Sequence, residues 1–350
     1  MLRRTFTITL LAGSMMMGLN PSISYAQTKW DGPTTGPKAA EGKTVVVLAA
    51  DLKNGGILGV TNGVEEAAAK IGWTVRVLDG AGSIQGRTAA FGQAMALKPD
   101  GIVINGFDAV EQQAALDTVA TAKIPLVSWH SGPKIGCDAP GGIFANVSTD
   151  AMSVSETAAK WAINDAGGNP GAIIFTDSTY QIAIDKADRI KETIEKMGGT
   201  VLEYVDTPIA DTSSRMGPLT TSLLQKYGAK WTHALAINDL YFDFMGPALA
   251  AAGIDGKGAP KAGSAGDGSE AAFQRIRTGE YQAITVAEPL NLQGWQMVDE
   301  LNRAISGEAC SGYITAPALV TEEGLKASGD SNQFDPDSPY REAYAKIWGK

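Results

Sequence analysis

Short apolar runs and longer amphipathic stretches alternate along this chain. Residues 44–50 (TVVVLAA) form a continuous run of apolar, mostly β-branched side chains, which is typical of a parallel strand buried on both faces. Residues 59–71 then place apolar side chains at helical spacing. The same alternation predicts strands over 74–78, 101–105 and 125–129 and helices over 85–97 and 110–122. The first part of the chain is thus predicted to be a block of strand–helix units.

The alternation restarts near residue 149 and predicts a second block. Helices are expected over 149–165, 184–197, 214–227, 242–252, 270–278 and 292–305, and strands over 172–176, 200–205, 233–238, 262–265 and 283–287. Strands that alternate with helices indicate right-handed βαβ units on a parallel sheet. Two such blocks predict an α/β fold with two doubly wound parallel-sheet lobes.

The first residues have the features of an export signal. Arg3 and Arg4 precede an apolar stretch over 5–19, and Ser-Tyr-Ala at 24–26 is a small-x-small cleavage site. This order predicts a signal peptide over 1–26 and hence a periplasmic protein. The apolar stretch is too short to predict a membrane anchor, because a spanning helix needs about 20 apolar residues.

Size and charge narrow the classes of protein. Removing 26 residues from 350 leaves 324, which exceeds the usual single hydrophobic core and predicts two domains. The formal net charge of −9 would repel a phosphate backbone, so no nucleic-acid partner is expected.

The sequence does not fit the motifs of catalysis and cofactor binding. Gly-Lys-Thr at 42–44 precedes a strand, and Pro37 occupies the position where a phosphate-binding loop needs glycine. The glycines at 80, 82 and 86 miss the dinucleotide-binding spacing by one residue. The two histidines of the chain, His130 and His233, belong to no zinc or nucleophile motif. We therefore expect no cofactor, no metal and no enzymatic activity.

Polar residues cluster directly after the predicted strands. Ligands bind outside the carboxyl ends of the strands in open parallel sheets. The candidate ligand-binding residues are therefore Asp51, Asn54, His130, Ser131, Tyr180, Asn238, Asp267 and Glu288. Carboxylates, amides and hydroxyls can hydrogen-bond a ring of hydroxyl groups, and an aromatic face can cover the C–H side of a sugar. The alternative for each position taken singly is an ordinary loop or helix-capping residue.

The chain resembles the type I periplasmic binding proteins of the ribose- and galactose-receptor kind in six short segments and in their order along the chain. They are Gly-Val-Glu-Glu-Ala at 63–67, Leu-Asp at 78–79, Ile-Pro-Leu-Val at 124–127, Ala-Ile-Asn-Asp at 236–239, Gly-Asp-Gly at 266–268 and Gly-Glu-Tyr at 279–281. The resemblance extends over about residues 43–325. It implies a receptor that captures a monosaccharide or polyol between two lobes and delivers it to an inner-membrane ABC permease, as a monomer and without chemistry.

The resemblance also implies a hinge of three crossovers, near 147–150, 287–290 and 317–320. The first lobe would then comprise 43–148 plus 289–317, the second lobe 149–288 plus 318–334, and residues 335–350 a C-terminal tail. Cys137 and Cys310 would both lie in the first lobe near the hinge, which implies a disulfide. From the residues alone, two separate buried thiols are the alternative.

Individual positions both follow and depart from the ribose-receptor pattern. Asn54, Asn238 and Asp267 match its sugar ligands, and Glu288 stands where that receptor has glutamine. His130 and Ser131 stand where it has an Asp-Arg pair, Ile184 where it has a second arginine, and Gly56, Ile57 and Thr212 where it has stacking aromatics. The candidates for stacking are therefore Tyr180, Trp129 and Tyr241, with Tyr180 first by position.

The missing arginines change the expected ligand. Asp267 and Glu288 remain, Asp51 can join them, and no family arginine faces them, so the pocket is predicted to be acidic. A neutral aldose or polyol is expected first, and an uncompensated carboxylate pair would favour an amino sugar as the alternative. A receptor for a chemotaxis or sensor-kinase partner would show the same features. A transcription regulator of this fold needs a helix-turn-helix where the signal peptide stands.

Overall fold

Twelve strands form two sheets in the computed structural model, which describes residues 29–132 and 134–350. They are β1 (Thr44–Ala49), β2 (Thr74–Asp79), β3 (Gly101–Asn105), β4 (Leu126–Trp129), β5 (Gly136–Ala139), β6 (Ile143–Val147), β7 (Gly171–Thr176), β8 (Thr200–Asp206), β9 (His233–Ala236), β10 (Lys261–Ser264), β11 (Ile284–Ala287) and β12 (Ala318–Thr321). One sheet has the order β2-β1-β3-β4-β6-β5 and the other β12-β11-β10-β9-β7-β8. The predicted signal peptide, 1–26, lies outside the described residues.

Twelve α-helices accompany the sheets in the described part of the chain. They are α1 (Gly55–Ile71), α2 (Ile84–Leu97), α3 (Gln113–Thr121), α4 (Ala151–Asp165), α5 (Gln181–Lys196), α6 (Thr212–Tyr227), α7 (Leu240–Asp243), α8 (Gly246–Ala251), α9 (Glu270–Thr278), α10 (Leu290–Ser306), α11 (Glu322–Ser328) and α12 (Tyr340–Trp348). Neighbouring strands are parallel except in the pairs β5–β6 and β11–β12. The predicted α/β fold with two doubly wound, mostly parallel lobes is therefore confirmed.

The first lobe shows why the sequence pattern predicts its elements. The side chains of Val45, Val46 and Val47 in β1 are fully buried, as expected for a central strand covered on both faces. Asn54 caps the start of α1, and Gly72 ends that helix with a left-handed backbone (φ 77°), which glycine adopts without steric cost. The apolar face of α1 packs against α10, which returns to this lobe from the second sheet.

Several elements differ from the sequence-based prediction, among them β12, α11 and α12, for which it gives no strand or helix. The antiparallel hairpin of β5 and β6 was not predicted, because both strands are short and β5 is only half-buried at the edge of the sheet. The single helix predicted over 242–252 is instead two short helices, α7 and α8. The break precedes Pro247, which has no N–H to continue a helix and occupies the first turn of α8.

The chain passes between the lobes in three connections that form the hinge. Residues 148–150 lead from β6 to α4, residues 288–289 from β11 to α10, and residues 307–317 from α10 to β12. The predicted three-crossover hinge is therefore confirmed. The chain returns once more after α11, because α12 packs on α1 and α10 of the first lobe. The segment expected to be a tail thus carries a helix whose Tyr344 and Trp348 contact Trp295 of α10.

A disulfide braces the first lobe. The sulfur atoms of Cys137 and Cys310 are bonded at 2.06 Å, and the Cα atoms lie 5.8 Å apart. The bond connects β5 to the segment that follows α10. It therefore fixes the edge hairpin to one of the hinge connections.

Candidate functional site

A cavity of about 220 Å³ lies between the two lobes. Its walls come from the carboxyl ends of the strands and from helices α2 and α5. Its polar and aromatic lining consists of Asp51, Asn54, Arg87, Trp129, His130, Asp177, Thr179, Tyr180, Lys186, Asn238 and Asp267. Its larger apolar side chains are Ile57, Ile84, Ile182, Ile209 and Ile237.

Six of the eight candidate residues line this cavity, and two do not. Ser131 is buried beside it, where its backbone N–H donates to Oδ1 of Asn146 and its hydroxyl faces the carbonyl of Trp129 at 3.4 Å. Glu288 is fully buried behind the wall that His130 forms. These two residues therefore support the site and do not face the cavity.

Asn54 provides an amide side chain from the first lobe to the cavity. Its Oδ1 accepts hydrogen bonds from the N–H groups of Gly56 (2.9 Å) and Ile57 (3.2 Å), which satisfies two backbone donors at the start of α1. Because the oxygen is committed to the cap, the amide NH₂ is the end that can meet a ligand. The site thus has a hydrogen-bond donor whose orientation is fixed by the helix.

Asn238 and Asp267 form the facing wall in the second lobe. Oδ1 of Asn238 accepts from the N–H of Leu240 at 3.2 Å, so this amide also offers its NH₂ group. Asp267 belongs to a loop that Asp239 organises, since Oδ2 of Asp239 accepts the N–H groups of residues 267, 268 and 269 at 3.2, 2.8 and 2.9 Å. Burial raises the pKa of Asp267 to about 8, which leaves this carboxyl able to donate as well as accept at neutral pH.

His130 and Glu288 form a buried pair at the hinge. The imidazole of His130 stacks on Trp129 with 3.6 Å between the ring centroids, and its Nε2 lies 2.9 Å from Oε1 of Glu288. Oε2 of Glu288 accepts from the backbone N–H of Thr149 (3.2 Å) and from Nε2 of Gln293 (2.9 Å). Glu288 thereby connects two of the hinge crossovers.

The charge states of this pair follow from their surroundings. Burial lowers the pKa of His130, so its imidazole is neutral at pH 7. Burial alone would raise the pKa of Glu288, but the contact with His130, the charge of Lys186 and the hydrogen bond from Gln293 outweigh burial and lower it. Glu288 is therefore an anion inside the protein.

Two cations that were not predicted lie at the cavity. Nζ of Lys186, on α5, donates to the carbonyl of Ala265 at 2.9 Å and lies 4.0 Å from Oε1 of Glu288. Arg87, on α2, pairs with Glu111 through Nε (3.1 Å) and Nη2 (2.7 Å). The expectation of an acidic pocket counted no cation and is therefore incomplete.

A sequence signal for Lys186 does exist. It lies on the buried face of α5 together with Ala183, Ala187 and Ile190, where an apolar side chain is the rule. A lysine at such a position marks a buried charge that needs a partner. Arg87 carries the same signal, because it lies on the buried face of α2 together with Ala90, Phe91 and Ala94. Its partners Glu111 and Tyr180 are distant in sequence, so the pattern does not identify them.

The three stacking candidates have different positions. Tyr241 is buried in the second lobe's core, where its hydroxyl donates to the carbonyl of Thr207, and it does not line the cavity. Tyr180 and Trp129 do line it. The guanidinium of Arg87 lies 5.5 Å from the Tyr180 ring centroid, and its Nη1 donates to the Tyr180 hydroxyl at 3.1 Å. The apolar wall is therefore shared between aromatic and isoleucine side chains.

A potential metal-binding group is present in the same region. His130, Asp267 and Glu288 each offer a ligand atom within 4.8 Å of the others, and all three are buried. Nζ of Lys186 lies 4.0 Å from one of the Glu288 oxygens. A divalent cation would be repelled by this ammonium group, so the geometry favours an internal ion pair over a metal.

The two lobes also contact each other directly. The Arg87–Tyr180 hydrogen bond joins them, and the backbone N–H of Gln181 donates to Oδ2 of Asp108 at 3.1 Å. A Cβ atom placed on Gly56 of α1 would lie 2.4 Å from Oδ2 of Asp267. The lobes are therefore in a closed arrangement with first-lobe helix α1 against the Asp267 loop.

Solved structures with the same fold support this description. A galactofuranose binding protein superposes with a TM-score of 0.69 and 17% identity over 88% of this chain and 99% of its own. An ABC transporter solute binding protein from Agrobacterium vitis with bound allitol gives a TM-score of 0.71 and 18% identity over 82% of this chain and 98% of its own. A sugar ABC transporter protein from Yersinia enterocolitica gives a TM-score of 0.70 and 18% identity over 90% of this chain and 100% of its own.

The sequence comparisons identify the family. No curated protein matches the chain, and none of its described helices is long and apolar enough to cross a membrane. The family described as "Periplasmic binding protein domain" matches residues 45–309, which is most of the chain and includes all of the cavity's polar residues. With this match, the two-lobed fold and the interlobe cavity, the chain belongs to the periplasmic binding protein family.

Proposed function

We propose that this protein is a periplasmic receptor that captures a monosaccharide or polyol between its lobes and delivers it to an inner-membrane ABC permease. The observation that carries the proposal is the interlobe cavity to which both lobes contribute polar side chains, with Asn54 on one wall and Asn238 and Asp267 on the other. A solute that contacts both walls stabilises the closed arrangement relative to an open one.

The volume of the cavity supports a single sugar unit. Its 220 Å³ is smaller than the roughly 300–1,000 Å³ of pockets for drug-sized ligands. At about 30 Å³ for each water, it corresponds to about seven water molecules. The structural relatives named above include proteins described as binding galactofuranose and allitol, which are solutes of this size class.

The polar groups of the cavity suit hydroxyl groups. The NH₂ groups of Asn54 and Asn238 donate, the carboxyl of Asp267 can accept or donate, and each hydroxyl of a sugar can do both. Isoleucine side chains and Trp129 cover the C–H surfaces between these points. The ligand is therefore held by hydrogen bonds at several points and released unchanged.

The wider role rests on the family and on the first residues of the chain. Residues 1–26 are predicted to be a cleaved signal peptide, which would export the protein to the periplasm as a monomer. The closed arrangement aligns surfaces of both lobes, and such a composite surface would distinguish the loaded protein for the permease. We expect no enzymatic turnover of the bound solute.

A thermal-shift screen tests the proposal directly. The purified mature protein is measured with D-galactose, D-glucose, D-ribose, D-tagatose and allitol, because a ligand at 100 times its Kd adds about 2.7 kcal/mol to the native state. At least one probe should raise the melting temperature, compact the molecule in solution scattering and be recovered unchanged by mass spectrometry. Absence of any shift across the panel would refute the sugar assignment, and a new product would refute the absence of chemistry.

A further inference from the structure

We infer that Lys186 is the specificity-determining residue that restricts this cavity to neutral polyhydroxyl solutes and excludes their amino counterparts. The inference rests on the proposed sugar-binding function and sharpens it. It also decides between the two ligand classes that the sequence left open, a neutral sugar and an amino sugar.

The position of Lys186 is built into the second lobe. The side chain leaves the buried face of α5, is only 4% exposed, and lines the cavity. Its ammonium group donates to the carbonyl of Ala265 and lies 4.0 Å from Oε1 of Glu288. Gly266 leaves the room that the ammonium group needs, since a Cβ atom there would approach Nζ to 3.1 Å.

The groups around Lys186 come from three different elements. Glu288 lies at the hinge after β11, Asp267 in the loop after β10 and His130 at the end of β4, and each interacts electrostatically with the ammonium group. Without Lys186 the anion of Glu288 would lie behind the cavity wall with no ammonium group beside it, close to the carboxyl of Asp267 that lines the cavity. Such an uncompensated set favours a cation, which was the reason to consider an amino sugar.

With Lys186 in place, the compensating cation is part of the protein. An ammonium group on the ligand would then lie beside a like charge in a site of low dielectric constant, and like-charge juxtaposition costs several kcal/mol. The other cation, Arg87, is balanced separately by two hydrogen bonds to Glu111. The carboxylates of Asp177 and Asp51 also line the cavity and accept hydrogen bonds from the protein, Asp177 from Thr179 and Ile209 and Asp51 from Lys53. At the wall that Lys186 forms, the favoured ligand group is therefore a neutral hydroxyl.

The test removes or keeps the positive charge at position 186 and measures the preference for neutral over amino ligands. Wild type, K186M and K186R are titrated at pH 6.5 with neutral probes (D-galactose, D-glucose, D-ribose, D-tagatose and allitol) and with protonated amines (D-galactosamine, D-glucosamine and 1-amino-1-deoxy-D-galactitol). Wild type and K186R should bind at least one neutral probe and disfavour its amine by about 100-fold or more. K186M should bind that neutral probe more weakly and gain measurable affinity for an amine.

A substitution at Glu288, which does not line the cavity, should change the ligand preference in the opposite direction to K186M. In E288Q the ammonium group of Lys186 loses its anionic partner, so the variant should gain affinity for D-galacturonate or D-gluconate while still rejecting the amines. This variant keeps the inference testable if K186M does not fold, which circular dichroism and reversible urea unfolding would reveal. The inference would be overturned if K186M kept the wild-type preference for a neutral probe over its amine. It would also be overturned if E288Q bound D-galacturonate and D-gluconate no better than wild type does.

The outcomes also separate the inference from the proposed function. If wild type binds a neutral probe but accepts its amine equally well, the role of Lys186 is wrong and the sugar receptor stands. If wild type binds none of the neutral probes, the proposed function itself fails, and the inference fails with it.

Discussion

Replacing Gly56 by alanine should weaken ligand binding without weakening the fold. Gly56 lies in the first turn of α1 and faces Asp267 of the opposite lobe. A Cβ atom at this position would lie 2.4 Å from Oδ2 and 2.6 Å from Cβ of Asp267. When the lobes are apart this contact does not exist, so the added methyl group penalises only the closed arrangement.

The magnitude follows from the size of the overlap. Ordinary van der Waals contact begins at 3.4 Å, so 3.4 minus 2.4 leaves a shortfall of 1.0 Å that the lobes or the Asp267 side chain must accommodate. Overpacking of this kind costs about 1–3 kcal/mol. Because 1.4 kcal/mol is tenfold in affinity, the Kd should rise about 5- to 150-fold. Alanine is also a better helix former than glycine by up to about 1 kcal/mol, so the free energy of unfolding should not fall.

Isothermal titration calorimetry with the sugar that gives the largest thermal shift measures the Kd, and urea unfolding without sugar measures stability. Gly92→Ala in α2 is the matched control, because it is also a helical glycine but a Cβ atom there meets no neighbour within 4 Å. It should gain the same helix stability and keep the wild-type Kd. A Gly56→Ala variant with wild-type affinity would refute the reasoning, as would a loss of affinity that merely follows a loss of stability.

Three further changes have defined outcomes. Burial raises the pKa of Asp267 from an ordinary value of 3.8 to about 8, so the folded chain holds this proton to higher pH than the unfolded chain. The wild-type free energy of unfolding should therefore fall as the pH rises from 3.8 to about 8. Urea titrations at several pH values should show a smaller fall for Asp267→Asn than for wild type. Replacing Cys137 and Cys310 with serine removes a crosslink between residues 173 apart and should lower the free energy of unfolding by about 2–5 kcal/mol, with reductant bringing wild type to the same value. Asp108→Asn keeps the oxygen that accepts from its own loop but removes the acceptor of the interlobe bond to α5, and calorimetry should find a Kd about 2- to 10-fold higher. Asp255→Asn removes the same charge from an exposed loop of the second lobe, where Oδ1 accepts from the N–H of Lys257, and should leave the Kd unchanged; equal Kd values for both variants would contradict the interlobe role of Asp108.

Strand ends were the most informative part of the sequence. Parallel strands in one sheet place their carboxyl ends at one edge, so the residues that follow them meet regardless of their separation along the chain. This rule brought Asp51, Asn54, His130, Asn238 and Asp267 to the cavity. The amphipathic patterns likewise predicted nearly all long helices, because each buries a single face on its sheet.

The rule does not predict which of these side chains face the cavity, because that depends on the direction in which each side chain points. Ser131 and Glu288 follow strands as their neighbours do, yet the first is held by Asn146 and the second turns into the hinge toward Thr149 and Gln293. Whether a residue after a strand faces the ligand or the interior depends on these tertiary partners. Local residue types do not encode that choice.

The cations were missed for a different reason. Lys186 and Arg87 reach the cavity from helices, and their partners become neighbours only when the sheets and the two lobes are assembled. A pattern along the chain carries no information on how one lobe faces the other. The polar lining at the strand ends was therefore predictable from sequence, and the balance of charge in the cavity was not.

The return of the chain to the first lobe determines where an optical reporter can be attached. The N–H of Ala39 donates to the carbonyl of Trp348 at 3.0 Å, so residues near both described ends lie side by side on one lobe. Fluorophores at residues 38 and 350 would keep a nearly constant separation during closure and report nothing. A responsive pair needs one fluorophore in the second lobe, for example after α4 at Gly167 or Gly168, where added atoms meet no neighbour within 4 Å.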